Sequence, residues 1–430
     1  MKTLKTLRPL YFYFLSVLLQ LTVFLIYQVF PINLNEDPWF ELFAKKLVYH
    51  GGEPIIWSSS GDLITNSPLQ MGEYYNWRPI GYSLFLSIIF LVTSSNLFLI
   101  RTLAQILIYS FIPVIFFQIC KEYFAKNSEP EFKSSICTLI FIFNPSFLVG
   151  PLQSLDTWFK TLFVMITFLL ILKNDKNTLL LLILSLTAIY LITPIGFVSI
   201  MLFLLFISVI KIFPWKKFLY LSLIMTAIIL LNGFRNYAAF GKFDVTNSSS
   251  GYNLWLGNNE KTLDFLKKHL GDGSTIEDKI LPHFNQKFKF VADFSEYEKN
   301  KFFTEQALNF ILKNPLITLE SIFWKGIGFW SPLRVRTNHY SESSIKTVLS
   351  FIYQAPLILA FFISFLLFLI RKEWRYDRLK LVFMSFAIFW FLPYLIFFTM
   401  ARYRTPIEFI LIIFFVEILY TLTAKFRRVS

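Results

Sequence analysis

The sequence predicts an all-α polytopic membrane protein. Three observations carry that reading. Apolar residues come in runs of roughly 20, the length of helix that crosses the hydrocarbon core of a bilayer. Of 430 residues, 55% are apolar and 19% aromatic, with 53 Phe. Only 16% are charged, against about 25% in soluble proteins, and the mean hydropathy is +0.57. This composition excludes a disordered chain, a disulfide-rich secreted domain and a cytosolic enzyme. A β-barrel is excluded too, because its strands alternate over about 10 residues.

The apolar runs lie near residues 10–30, 79–95, 98–119, 134–151, 158–172, 178–192, 195–212, 217–233, 347–370, 380–398 and 406–424. The net charge of +14 is spread over the short segments between them. That is the positive-inside pattern of a membrane protein and not a nucleic-acid surface. It places Lys2/Lys5/Arg8, Lys121/Lys126/Lys133, Lys173/Lys176, Lys211/Lys216/Lys217, Arg371–Lys380 and Lys425/Arg427/Arg428 in the cytoplasm. Cys120 and Cys137 flank one of these loops, where a disulfide is disfavoured. The first run has no small-residue cleavage site after it and reads as an uncleaved span.

Parity then matters. Residues 33–78 carry six acids against three basic residues and belong outside. Two runs separate them from the cytoplasmic Lys121–Lys133 loop, so one does not cross. The shorter, 79–95, is chosen as a re-entrant or interfacial helix; the alternative is that it crosses and a later run fails. About ten spans result, with both termini inside. Three regions follow: a membrane module over 1–233 with an acidic outer first loop, a large outer region over 234–346, and C-terminal membrane helices over 347–430. In the outer region 246–251 reads as loop, Glu296–Leu312 as helix, and 315–331 as an amphipathic interfacial helix.

Intramembrane charge is sparse. Glu417 is the clear exception, with Glu408 near the outer end of the same helix, whereas transporters keep ionisable groups at mid-membrane. Charge gathers instead at outer helix ends. Glu36 and Asp37 follow the first span; Asp37 also suits the cap of a helix opening at Pro38. Asp156 lies where another span emerges, and a pairing with Lys160 one turn on explains it equally. Arg235 ends a span, and Arg402 and Arg404 occupy a short outer turn that the positive-inside trend disfavours. They read either as partners of Glu408 or as an anion site, because guanidinium forks grip phosphate bidentately. A phosphate at this surface points to a lipid phosphate.

Four segments carry a resemblance. They are Glu36-Asp37 with Phe40, Ala44, Leu47 and Gly51; Arg78-Pro79-Ile80-Gly81-Tyr82 through Leu86; Arg235-Asn236-Tyr237 through Phe243, with Gly251 through Asn259; and Arg402-Tyr403-Arg404-Thr405-Pro406-Ile407-Glu408. In this order the chain resembles the GT-C integral-membrane glycosyltransferases that use polyprenyl-phosphate sugars. The nearest groups are the protein-O-mannosyltransferase-like and lipid A aminoarabinose transferase-like enzymes. It departs from them in the order Glu36-Asp37, in two missing prolines of the second motif, and in Asp156 where Glu is commoner.

The resemblance implies a GT-C-like fold with juxtamembrane helices over the site, in the plasma (inner) membrane and with its site on the extracytoplasmic face. The implied reaction moves a sugar from a polyprenyl-phosphate donor to a glycan, lipid or protein acceptor, with inversion. Glu36, Asp37 and Asp156 are then the catalytic candidates, and which of Glu36 and Asp37 is the base stays open. Arg235, Arg402 and Arg404 hold the donor phosphate, and Arg78, Tyr82, Asn253, Asn258 and Glu408 bind substrate. Some GT-C members use a divalent metal at their acids, so a metal stays open; His50, His269, His283 and His339 show no ligand spacing. The competing readings are a polysaccharide polymerase or ligase and a lipid-linked glycan transporter.

Overall fold

The structure, a computed structural model, describes residues 2–30, 38–49, 55–57, 72–74, 78–92, 97–268, 275–332 and 344–429. Every apolar run is helical, as hydrocarbon requires of amides that find no water. In chain order the elements begin α1 (Lys2–Val29), α2 (Pro38–Tyr49), β1 (Ile55–Trp57), β2 (Gly72–Tyr74), α3 (Ile80–Val92), α4 (Leu97–Tyr109) and α5 (Phe111–Phe124). Then come α6 (Pro130–Ile142), α7 (Pro145–Val149), α8 (Thr157–Lys173), α9 (Leu179–Ile192), α10 (Pro194–Val209) and α11 (Trp215–Phe240). The last are α12 (Ser249–Gly257), α13 (Thr262–Lys268), α14 (Thr275–Asn285), α15 (Glu296–Lys313), α16 (Pro315–Trp330), α17 (Ser344–Ile370), α18 (Arg378–Phe391) and α19 (Glu408–Val429). The two strands pair antiparallel, Ile55 opposite Tyr74. Proline opens α2, α6, α7, α10 and α16, where its missing N–H costs nothing.

Among the described helices six are long and apolar enough to cross a membrane, seven if α6 and α7, bent by 56° at their junction, form one span. The expected ten are reached only with α8, α9 and α10. These have 17, 14 and 16 residues, and at 1.5 Å rise each is shorter than a hydrocarbon core of about 30 Å. The 79–95 run gives α3, 13 residues long, packed against α2 and α9.

Helices from both sides of the 234–346 region share one apolar core. Phe168 of α8 lies 4.8 Å from Phe383 and 4.6 Å from Phe386 of α18, and 5.3 Å from Phe409 of α19, centroid to centroid. A smaller core of Tyr252, Trp255, Phe284 and Phe303 joins α12, α14 and α15. The α15 helix opens with a capping box: Glu298 N donates to Ser295 Oγ, and Ser295 N donates to Glu298 Oε2 at 2.8 Å. The expected loop at 246–251 is shorter than read, since α12 begins at Ser249.

The 315–331 segment is helical as α16, with its polarity inverted. Thr318, Ser321 and Lys325 are buried while Leu316, Leu319 and Phe323 are exposed. Exposed Leu308 and Leu312 extend that apolar stripe onto α15. An outward apolar stripe suits a helix lying against lipid.

Candidate functional site

Asp156 stands at the N-cap position of α8 with φ −69° and ψ −9°, and its side chain caps nothing. It turns to Lys160, with Oδ2 3.6 Å from Nζ. The pairing expected from their spacing is therefore present. The lysine is its hidden member: side-chain exposure is 5% for Lys160 and 22% for Asp156, which leaves the carboxylate as the accessible group. Two contacts fix this helix start. Trp158 Nε1 donates to Ser146 O at 2.9 Å. A Cβ on Gly150 would land in the Trp158 ring, so only glycine allows the approach.

The 3-10 turn Ala401–Ile407 packs beside α8. Tyr403 forms the floor: its ring stacks on Tyr394 with centroids 5.0 Å apart, and its carbonyl accepts from Trp390 Nε1 at 2.9 Å. Lys160 Nζ lies 5.8 Å and Arg402 Cζ 5.7 Å from that ring's centroid, within cation–π reach. Arg402 and Lys160 feel each other's charge, and Tyr403 feels Arg402, Arg78 and Asp156. Thus Asp156, Lys160, Arg402, Arg78 and Tyr403 form one cluster at one end of the bundle.

Arg404, expected in a three-arginine clamp, has its described hydrogen bonds elsewhere. It is fully buried, and its guanidinium donates to Phe329 O, to Ser331 O at 3.0 Å and to Gln354 Oε1 at 3.3 Å. These bonds tie the turn to the carboxyl end of α16. Arg235 has its described hydrogen bonds with Asn236, which in turn donates to Asp244 O; its described electrostatic neighbour is Tyr190. These partners belong to α9, to α11 itself and to the turn after it.

Glu408 is buried and accepts from Asn144 Nδ2 at 3.0 Å. Asn258 donates to Leu254 O at 2.8 Å and Ile396 O at 2.7 Å, and its Oδ1 accepts from Lys325 Nζ at 3.2 Å. Lys325 Nζ also reaches Leu395 O at 3.2 Å. Together they clasp the strand of chain that leads to Arg402. Burial holds the Lys325 ammonium down at about 7. Asn253 reaches only Ser249 Oγ, at 3.4 Å, among its described hydrogen bonds. Tyr82 is buried and donates to Gln105 Oε1 at 2.8 Å.

Glu36 and Asp37 lie outside the described residues. The helix expected after them does open at Pro38. Among the described residues no three of His, Cys, Asp and Glu gather as metal ligands.

The expectation that Glu408 and Glu417 exhaust the charge inside the spans is incomplete. Arg101 lies within the run 98–119 and is buried against Glu41 of α2; Lys160 lies within 158–172. A single charge inside a long apolar run marks both. Glu417 itself is neutralised: its carboxylate accepts from Tyr123 OH at 2.9 Å and from Lys380 Nζ at 3.0 Å.

The fold is similar to the crystal structure of the Archaeoglobus fulgidus oligosaccharyltransferase in its apo form, with a TM-score of 0.54 at 12% identity. The match covers 100% of this chain and 52% of that one, so the chain spans about half the length of the structure it resembles. No family model and no curated protein matches the chain. The architecture is thus an all-α, multi-pass membrane fold similar to that of this oligosaccharyltransferase.

Proposed function

We propose that this chain is a membrane glycosyltransferase that takes a sugar from a polyprenyl-phosphate carrier on the extracytoplasmic face of the plasma membrane. The observation that carries the reading is the cluster of Asp156, Lys160, Arg402, Arg78 and Tyr403 on a scaffold similar to an oligosaccharyltransferase. An accessible carboxylate stands beside cations, as a reaction that abstracts a proton and releases a phosphate requires.

In this reading the acceptor hydroxyl attacks the anomeric carbon. The bond from that carbon to the carrier phosphate breaks, and its electron pair leaves on the phosphate oxygen. The hydroxyl proton passes to a carboxylate, either Asp156 or one of Glu36 and Asp37. Arg402 meets the growing phosphate charge with its planar fork, and Lys160 adds positive potential beneath it. A single displacement inverts the anomeric centre. The apolar stripe along α15 and α16 rests on the membrane surface and keeps the lipid donor's entrance level with the cluster.

Arg404, Glu408 and Asn258 are assigned here to holding the site. The measurement is lipid profiling of a deletion strain. A polyprenyl-phosphate sugar should accumulate while one glycan loses a residue, and wild-type protein should reverse both. Unchanged lipid-linked sugars would overturn the reading. Within the acidic pair, normal transfer by both Glu36→Gln and Asp37→Asn at normal expression would remove that pair as the base.

A further inference from the structure

The helix α4 carries two polar side chains one turn apart, Arg101 and Gln105, both essentially inaccessible. They lie in a segment of membrane-spanning length and hydropathy, Phe98–Phe124, where polar groups are costly unless something needs them. What they touch is specific. Gln105 Nε2 donates to Pro151 O at 3.0 Å and Gln153 O at 3.3 Å, and Arg101 Nη2 donates to Leu152 O at 3.2 Å. Three consecutive carbonyls of the segment leading to Asp156 therefore end on one face of α4.

That segment cannot hold itself. Gly150–Leu152 is a single 3-10 turn, Gln153 is extended at ψ 141°, and regular helix resumes only at Thr157. The orientation of the Gln105 amide is fixed from its other side, because Oε1 accepts from Tyr82 OH at 2.8 Å and Tyr109 OH at 2.9 Å. All four hydrogen-bonding positions of the amide are thereby used. Arg101 Nη1 pairs with Glu41, on the helix α2 that opens directly after Glu36 and Asp37.

We propose that Arg101 and Gln105 are positioning residues: they set the carboxylate of Asp156 by clasping carbonyls 151–153, and Arg101 couples that placement to Glu41 of α2. The inference rests on the reading of Asp156 as a catalytic group. It predicts that disturbing the clasp slows turnover and leaves donor binding at Arg402 intact.

The test uses the full-length protein in bilayer discs. Arg101→Lys keeps a cation for Glu41 and loses the fork that reaches Leu152. It should lower kcat at least tenfold while the KM for the lipid donor changes less than twofold. In an Asp156→Asn background the same change should cost nothing further. Gln105→Leu serves as the second variant. A readout independent of catalysis goes alongside: alkylation of Asp156→Cys, in a chain whose buried Cys120 and Cys137 are Ala. Its rate should change several-fold when Arg101→Lys or Gln105→Leu is added. Wild-type kcat and an unchanged alkylation rate in folded variants would overturn the clasp and leave the glycosyltransferase reading standing. Full activity of Asp156→Asn would instead remove the catalytic reading, and a several-fold alkylation change would then still support the clasp as what places residue 156.

Discussion

Two charged clusters occupy opposite ends of the α18–α19 hairpin, and they are built differently. At the Glu417 end Lys380 Nζ lies 3.0 Å from both Glu373 and Glu417, and Tyr123 donates to Glu417. Two acids there face Lys380 and Arg371, the latter 3.8 Å from Glu373, so the charges cancel. At the Asp156 end, beyond the start of α19, one described acid faces Lys160 and Arg402. The closed cluster explains how an acid survives inside an apolar helix. The open one holds a cation, Arg402, with no carboxylate among the described residues within ion-pair distance. In the proposed reading the balanced cluster serves structure, and the cation surplus at an accessible carboxylate is the place for an anionic substrate.

The largest expected contrast lies between the two acids. Asp156→Asn should cut sugar transfer by about 10²-fold or more if it is the base. Glu417→Gln should leave transfer near wild type and lower stability by about 1–3 kcal/mol, the cost of weakening a charge-assisted bond, read as a lower midpoint of thermal unfolding. Equal losses of transfer would erase the distinction.

A second contrast lies within one turn. Arg402→Lys should weaken donor use about tenfold in a protein that folds normally, since an ammonium lacks the planar fork. Arg404→Lys should instead reduce expression and thermal stability, because it strands acceptors in a fully buried site. Spacing in the sequence already separates these two arginines: Glu408, four residues on, is within reach of Arg404, which leaves Arg402 for an anion. In the structure residues 401–407 form a 3-10 turn. At three residues per turn, side chains two apart point to different sides, so one arginine faces Lys160 and the other the carbonyls of α16.

The helices themselves were legible, because hydrophobic runs and helix-opening prolines are local signals. The start of α2 at Pro38, the span of α15 and the Asp156–Lys160 pair all followed from spacing. Arg101, Gln105 and Lys325 were not legible. Averaging over an apolar run hides one charge, and their partners include backbone carbonyls 46 to 71 positions away in sequence, which no pattern of side chains encodes.

Topology offers a third test. If α3 does not cross, cysteines placed at Asn76 and Asn96 should both react with an impermeant reagent from outside the cell. Labelling at Asn76 alone would put α3 across the bilayer and move both clusters together to the opposite side of the membrane.

The smallest expected effect is a pH dependence. Lys325 is held near 7 in the folded protein, against 10.5 in an open chain. Between those values the unfolded state binds the extra proton, so stability rises with pH across the window, by up to about 1.4 kcal/mol per pH unit. Lys325→Met should flatten the rise between pH 7 and 8.5 in thermal unfolding; an identical slope would return the lysine to an ordinary ammonium.

The most direct measurement is equilibrium binding of a polyprenyl phosphate to purified wild type, Arg402→Lys and Glu417→Gln. The account predicts that Arg402→Lys binds about tenfold more weakly while Glu417→Gln binds like wild type. Equal affinity in all three proteins would contradict the claim that the open cluster is the donor-phosphate site.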